Sequence, residues 1–495
     1  MFFQIRASHA PDFDDLRTFL AKRVKNANAE IHPIFNGGSA STASKSVFSG
    51  QTYLAQMLAH ELVSSTSSPT IKRRPFFTLD SIYGNKLIGN TVADSGHVFD
   101  SALFTEEGFF KYRFEQLEIC DFERPFGSKL ALSADKRNDQ NLFVSQLHLL
   151  WLRFHNAVLR YIEANTPHTF ALMTRTERIQ AIRKIITQVF QIGVFEECLK
   201  PLVPAFILNS YKDMPAHEYL LNDKSLIAAP VAFSDAVMRF GHSMVRKSYR
   251  PNLQVFSKNL SSFFKHVEPQ IDPISQQTNW RVAKNQIVNW NMFFKGNDSY
   301  KGFHNEAMLV DRFISNDMST SPLDSSHVNI LKHNLYAGIH SKVPSANQLF
   351  DYLITKQPTY LSKLGLAWFT PEVLNEACKR PKSWNIGDDM SAQDLPINSL
   401  WLYMLNEKEV YKHDQFPDDL QHHEKLGPLS SIIFCEVVLN AFRHSPLPII
   451  ESYWRNKGEL ALSEHMPSDI ANKIKSKKFK MLDIYNFVEQ MEKIR

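Results

Sequence analysis

Gln56 and His60 stand four residues apart in the apolar run LAQMLAHELV, residues 54–63. At helical spacing they share one face. A histidine there can move a proton near neutral pH, and a glutamine one turn away can hold a water or small anion. Taken alone, the pair is also what a core helix shows when its buried polar groups have found partners. A second histidine, His242, follows Gly241 in VMRFGHSMVRKSYR, with Arg239 three residues before it and Arg246 four after. Arg137 lies in SADKRNDQNL beside Asp135, Asn138 and Asp139, just ahead of a long apolar segment. Singly, His242 reads as structural and Arg137 as a surface arginine near a helix N-terminus.

The elements that must position these residues are helices. In NDQNLFVSQLHLLWLRFHNAVLRYIEANTP the residues Leu147, Trp151, Phe154, Val158 and Tyr161 form one apolar stripe. Asn138 or Asp139 offers its N-cap, and Asn165 with Pro167 marks its stop. ERIQAIRKIITQVFQIGVFEECL, FSDAVMRFGHSMV, SANQLFDYLITK and PLSSIIFCEVVLNAF read as further helices, while strand signals are few and short. Residues 37–46, 64–75 and 313–326 read as polar loops. No repeat or long linker interrupts the pattern. The chain therefore reads as one large, mainly α-helical domain over 46–450, with a lead segment, 1–45, and a helical tail, 451–495, packed on it.

Composition narrows the function classes. With 495 residues and a net charge of only +5, the chain offers no large field for nucleic acid or a membrane surface. The basic run KIKSKKFK, 473–480, lacks interleaved aromatics and reads as a solvated helix face. The four cysteines, Cys120, Cys198, Cys378 and Cys435, are scattered without a CxxC pair, which suits a reducing compartment. No signal peptide or membrane-length apolar run is seen, so a cytoplasmic location is expected. His413, His422 and His423 lie near acids, but not at the spacing of a zinc motif, and read as an exposed loop. No phosphate-binding glycine motif is present.

Read together and in order, LAQMLAHEL, KRNDQNLFVSQLHLLWLRFHNAV and RFGHSMVR resemble the animal-type haem peroxidase family, the peroxidase–cyclooxygenase superfamily, in a bacterial-like form. LDSIYGN, 79–85, is similar to the family's LDxxYG turn, and HNLYAGIHSKVPSANQL, 333–349, to its asparagine-bearing segment. LWLYMLNEKEV and KLGPLSSIIFCEVV resemble its late helices. The resemblance runs over roughly residues 45–450 and implies a large single-domain helical haem peroxidase fold.

The resemblance implies a role for each residue. His242 matches the proximal iron ligand, leaving the opposite face of a haem open to peroxide. Asn334 would fix that imidazole by presenting its amide oxygen to the other ring nitrogen. Arg239 matches a basic residue near a haem propionate. His60 matches the distal base that takes a proton from one peroxide oxygen and returns it to the other. Arg137 matches the arginine that stabilises charge as the O–O bond breaks, and Gln56 would hold water in the same pocket. His148 and His155, seven apart on the long helix, match family histidines that are not iron ligands and are expected to be structural.

The departures carry equal weight. Ala59 and Gln140 stand where secreted relatives have an aspartate and a glutamate esterified to the haem, so haem b is expected to be non-covalent. Ala337 replaces a propionate-pairing arginine. Glu61, Thr78 and Asp80 match parts of a family calcium site, although Arg74 falls where a further ligand is expected. Arg239 occupies the place of the radical tyrosine that a cyclooxygenase needs. The expected activity is a peroxidase that reduces hydrogen peroxide and oxidises a small organic donor in one-electron steps through a ferryl state. Its rivals are a haem oxygenase or dioxygenase of an apolar substrate, and a non-catalytic haem-binding protein. Oligomeric state is not legible.

Overall fold

The structure is a computed structural model. It describes residue 3 and residues 43–65, 73–84, 102–115, 119–264, 266–271, 276–311, 314–315, 318, 330–368, 370, 399–407 and 424–493. Cys378, the histidines at 413, 422 and 423, and almost all of the lead segment and of the 313–326 loop lie outside the described residues.

In chain order the elements that matter here are β1 (Ala43–Phe48), α1 (Ser49–Leu62), α2 (Asp80–Tyr83), β2 (Tyr112–Glu115), β3 (Ile119–Phe122), α3 (Leu142–Asn165), α4 (Arg175–Val194), α5 (Val231–Ser234), β4 (Val267–Ile271), β5 (Thr278–Val282), β6 (Glu306–Met308), α6 (Ile330–His340), α7 (Leu400–Asn406), α8 (Pro428–His444) and α9 (Met481–Lys493). Helices dominate, as the periodicity predicts. Each sheet among the described residues is a two-stranded antiparallel ladder. No described helix is long and apolar enough to cross a membrane.

The chain folds as two compact units. One holds residues 1–52, 199–247 and 306–440, the other 53–198, 248–305 and 441–495. In the second unit α3 is the central element. Its expected stripe residues Leu147, Trp151, Phe154 and Val158 are fully buried, and burial extends around nearly the whole helix. The N-cap is Asn141, whose side chain accepts from the Val144 N–H at 3.0 Å, and not Asn138 or Asp139. Those two residues fall in a 3-10 turn, Lys136–Asp139, started by the Asp135 side chain. The reason is local: Asp135 captures the Arg137 N–H first, so the turn closes before α3 begins. α9 packs along α3, where the buried Arg153 bonds Glu489 and Glu492 and Phe154 meets Phe487 edge to face. α4 carries a full capping box from Thr174 and Glu177.

In the first unit β1 pairs with β6, with Ala43 opposite Met308. The polar loop expected over 37–46 thus gives way to strand at Ala43, because the partner strand lies far along the chain and leaves no local signal. The histidine-bearing segment expected as a helix is the 3-10 stretch Val237–His242, which follows α5. Its Phe240 packs edge-on against Phe434 of α8 at 5.7 Å. Cys120, Cys198 and Cys435 are buried free thiols.

Candidate active site

α1 carries Gln56 and His60 on one face, as the spacing predicts. His60 is buried, and its Nδ1 lies 2.7 Å from Asn138 Oδ1. The Asn138 amide nitrogen donates to the Ser81 carbonyl at 3.1 Å, which leaves the amide oxygen facing His60 as acceptor. His60 Nδ1 therefore carries the proton, and Nε2 keeps its lone pair. Burial, then the nearby Arg137 charge, lowers the His60 pKa to about 4. The ring is a neutral base of defined tautomer across the physiological range. Gln56 is half-buried, and its Oε1 accepts from Asn141 Nδ2 at 3.3 Å.

Arg137 reaches the same place by a different use of its donors than the sequence suggests. Its Nε and Nη2 bond the two Asp135 oxygens at 3.0 and 2.8 Å. Nη2 also donates to the His60 carbonyl at 2.7 Å, and Nη1 to the Val63 carbonyl at 2.8 Å. Four donors are thereby engaged, and the guanidinium caps the C-terminal end of α1. Arg73 shares Asp135 at 2.9 Å and donates to the His60 carbonyl at 3.3 Å. Two arginines facing one carboxylate hold Asp135 down to about 2 despite its burial and leave net positive charge beside His60. Behind the turn, Arg124 bridges Asp121 and Asp139, and His266 also meets Asp139 at 3.0 Å.

The first unit holds the second set. Asn334, buried on α6, has its Nδ2 2.9 Å from His242 Nδ1, while its Oδ1 accepts from Arg239 Nη1 at 3.0 Å. The expected amide orientation is therefore reversed. Arg239 has only donors, so the amide oxygen must face it, and the nitrogen is left for the imidazole. Arg239 Nη2 in turn bonds Asp235 at 2.9 Å, an i, i+4 ion pair. The guanidinium expected at a haem propionate is thus held mainly by Asp235 and Asn334. Its buried Nε has no hydrogen-bond partner among the described residues. Burial, then the Arg239 and His333 charges, lowers His242 to about 3, so this ring is also neutral.

His155 is bonded on both nitrogens, to the Tyr83 hydroxyl at 2.8 Å and the Gly108 carbonyl at 3.0 Å. His148 is buried against Phe122, and neither of its nitrogens has a partner among the described residues. Sequence reasoning missed Asn138 and Asp135 as the groups that hold His60 and Arg137, and Asp235 behind Arg239. Asp235 carries a legible signal in its i, i+4 spacing to Arg239. Asn138 does not, because its partner is 78 residues away.

Residues 106–345 match the family described as animal haem peroxidase. The match contains Arg137, Arg239, His242 and Asn334, while Gln56 and His60 precede it. Among solved structures, the chain is similar to peroxidase A from Dictyostelium discoideum, with 13% identity, a TM-score of 0.50, and 92% of this chain and 87% of that one covered. It is similar to the fatty acid alpha-dioxygenase of Oryza sativa, with 11% identity, a TM-score of 0.52, and 95% and 80% covered. The Arabidopsis thaliana fatty acid alpha-dioxygenase gives 12% identity, a TM-score of 0.52, and 95% and 75% covered. At these identities the likeness concerns the fold alone. No curated protein matches the chain.

Proposed function

We propose that the protein is a haem peroxidase that reduces hydrogen peroxide and draws electrons singly from a small organic donor. The observation that carries this is the His60–Asn138 bond, which leaves a neutral imidazole with a free Nε2 beside net positive charge. Such a base accepts the first peroxide proton and returns it to the departing oxygen. Arg137 contributes a position and a charge, since most of its donors already bond protein groups. Gln56, four residues before His60, holds a water or the peroxide itself.

The residues of the first unit suit a haem. His242 is neutral and held at Nδ1 by Asn334; to bind iron through Nε2 as a neutral ligand its proton would move to Nδ1, and the Asn334 amide would turn its oxygen to accept it. The orphaned Arg239 Nε is a donor that a cofactor carboxylate can take. Bound haem supplies the redox-active iron. Ala59 and the exposed Gln140 offer no ester-forming carboxyl, so the haem is held by coordination and packing and is extractable. Arg239, three residues before His242 and joined to Asp235, supports peroxide chemistry over a dioxygenase that works through a tyrosyl radical at that place.

The test is an absorption titration with haem, followed by hydrogen peroxide and an aromatic donor. A ferric Soret band that needs His242, and donor oxidation that needs His60, are the expected results. Haem binding without turnover would leave a carrier. Oxygen uptake without peroxide would make the protein an oxygenase.

A further inference from the structure

Glu61, Thr78 and Asp80 are the residues that the family resemblance assigns to calcium, and the structure uses each of them otherwise. Glu61 Oε1 accepts the backbone N–H of Thr78 at 3.0 Å and that of Leu79, and Oε2 accepts that of Ser81 at 3.0 Å. Leu79 adopts a φ of 58°, a left-handed conformation costly for leucine, within this turn. The Glu61 charge is thus met by three N–H groups, which point where a cation would need oxygens. At the same turn, Arg183 from α4 donates through Nε to the Thr78 carbonyl at 3.0 Å and through Nη2 to Asp80 Oδ1 at 2.8 Å. Its guanidinium lies 5.1 Å from the Tyr83 ring centre. No described group of three His, Cys, Asp or Glu side chains is arranged to hold a metal ion.

We propose that the Arg183 guanidinium does here the work of a divalent cation, joining the Thr78 carbonyl to the Asp80 carboxylate so that this turn keeps its shape without metal. The charge arithmetic favours it. With Glu61 satisfied by N–H groups and Arg73, which also reaches the Asp80 carbonyl, paired with Asp135, the Asp80 carboxylate is left to Arg183. The planar fork reaches two oxygens at once, as a point-charged lysine cannot. The same turn supplies the Ser81 carbonyl that orients Asn138, and so His60. This inference does not rest on the proposed activity.

Thermal unfolding of the purified protein tests it, with EDTA and with millimolar calcium chloride. The wild-type midpoint should not move with either. Arg183→Ala should lower it by about 5 °C. Calcium should then recover part of that loss in R183A, but not in R183A combined with Asp80→Asn. A wild-type midpoint that falls in EDTA overturns the proposal, as does an R183A midpoint equal to wild type, or equal calcium recovery in both variants. Arg183→Lys, which keeps the charge and loses the fork, should fall between wild type and R183A and supplies the comparison if R183A does not fold.

Discussion

His60 Nδ1 donates to Asn138 Oδ1 across 2.7 Å, and this bond decides which ring nitrogen is the base. Asn138→Leu removes the acceptor without adding charge. The rate of reaction with peroxide should fall about 10- to 100-fold, the range seen when the partner that orients a histidine is lost. His60→Ala should cost about 100- to 10,000-fold. Stopped-flow mixing of the haem-loaded protein with peroxide measures both, and equal rates for wild type and Asn138→Leu would remove Asn138 from the positioning role.

The pH profile follows from the lowered pKa of His60. Burial and the Arg137 charge bring it to about 4, below the ordinary 6.5, so the base stays unprotonated down to that pH. Peroxide reactivity should hold from neutral pH down to about 5 and fall as pH passes through 4. Asn138→Asp places a carboxylate against Nδ1, favours the imidazolium, and should move that acid limb upward. The limb is read from the second-order rate constant between pH 3 and 7.

Arg137 has two separable roles. Its side chain is 12% exposed and bonds Asp135 and two carbonyls at the end of α1. Arg137→Ala should destabilise the fold by about 2–4 kcal/mol, from unpaired carbonyls and a half-compensated Asp135. Urea unfolding measures this without cofactor. A change below about 0.5 kcal/mol, the ordinary surface range, would show that the cap contributes nothing to stability.

Asn334 should matter for cofactor affinity. It lies between His242 and Arg239, which Asp235 holds in turn. Asn334→Leu should weaken haem binding about 10- to 100-fold by freeing the imidazole to rotate. The Soret titration reports it directly.

Glu407 predicts an unusual pH dependence of stability. Its buried carboxyl accepts from the Leu429 N–H at 2.6 Å and the Ser430 hydroxyl at 2.6 Å, at the start of α8. Burial nonetheless raises its pKa from 4.5 to about 7. Between those values the folded state binds more protons than the unfolded one, so this group's contribution is lost as pH rises. The loss across that window should be on the order of 3 kcal/mol. Glu407→Gln should flatten it in urea unfolding at pH 5 and pH 7.5. Gly427 is required beside it, because a Cβ there would collide with the Glu407 carboxyl.

The sequence by itself determined the helical architecture and pointed to the candidate site residues. The helix over residues 142–165 is written in the chain as an apolar stripe at helical spacing, which needs no distant partner to be seen, although the fold buries nearly all of its circumference. Gln56 with His60 is likewise legible, since helical spacing sets which side chains share a face. Only the tertiary structure decided how those residues are held. Asn138 reaches His60 from another segment, Arg183 reaches Asp80 from another helix, and Asn334 turns its oxygen to Arg239 and not to His242. Hydrogen-bond direction depends on every donor and acceptor that meets at a point. That meeting is fixed by long-range packing, which no local pattern in the chain records.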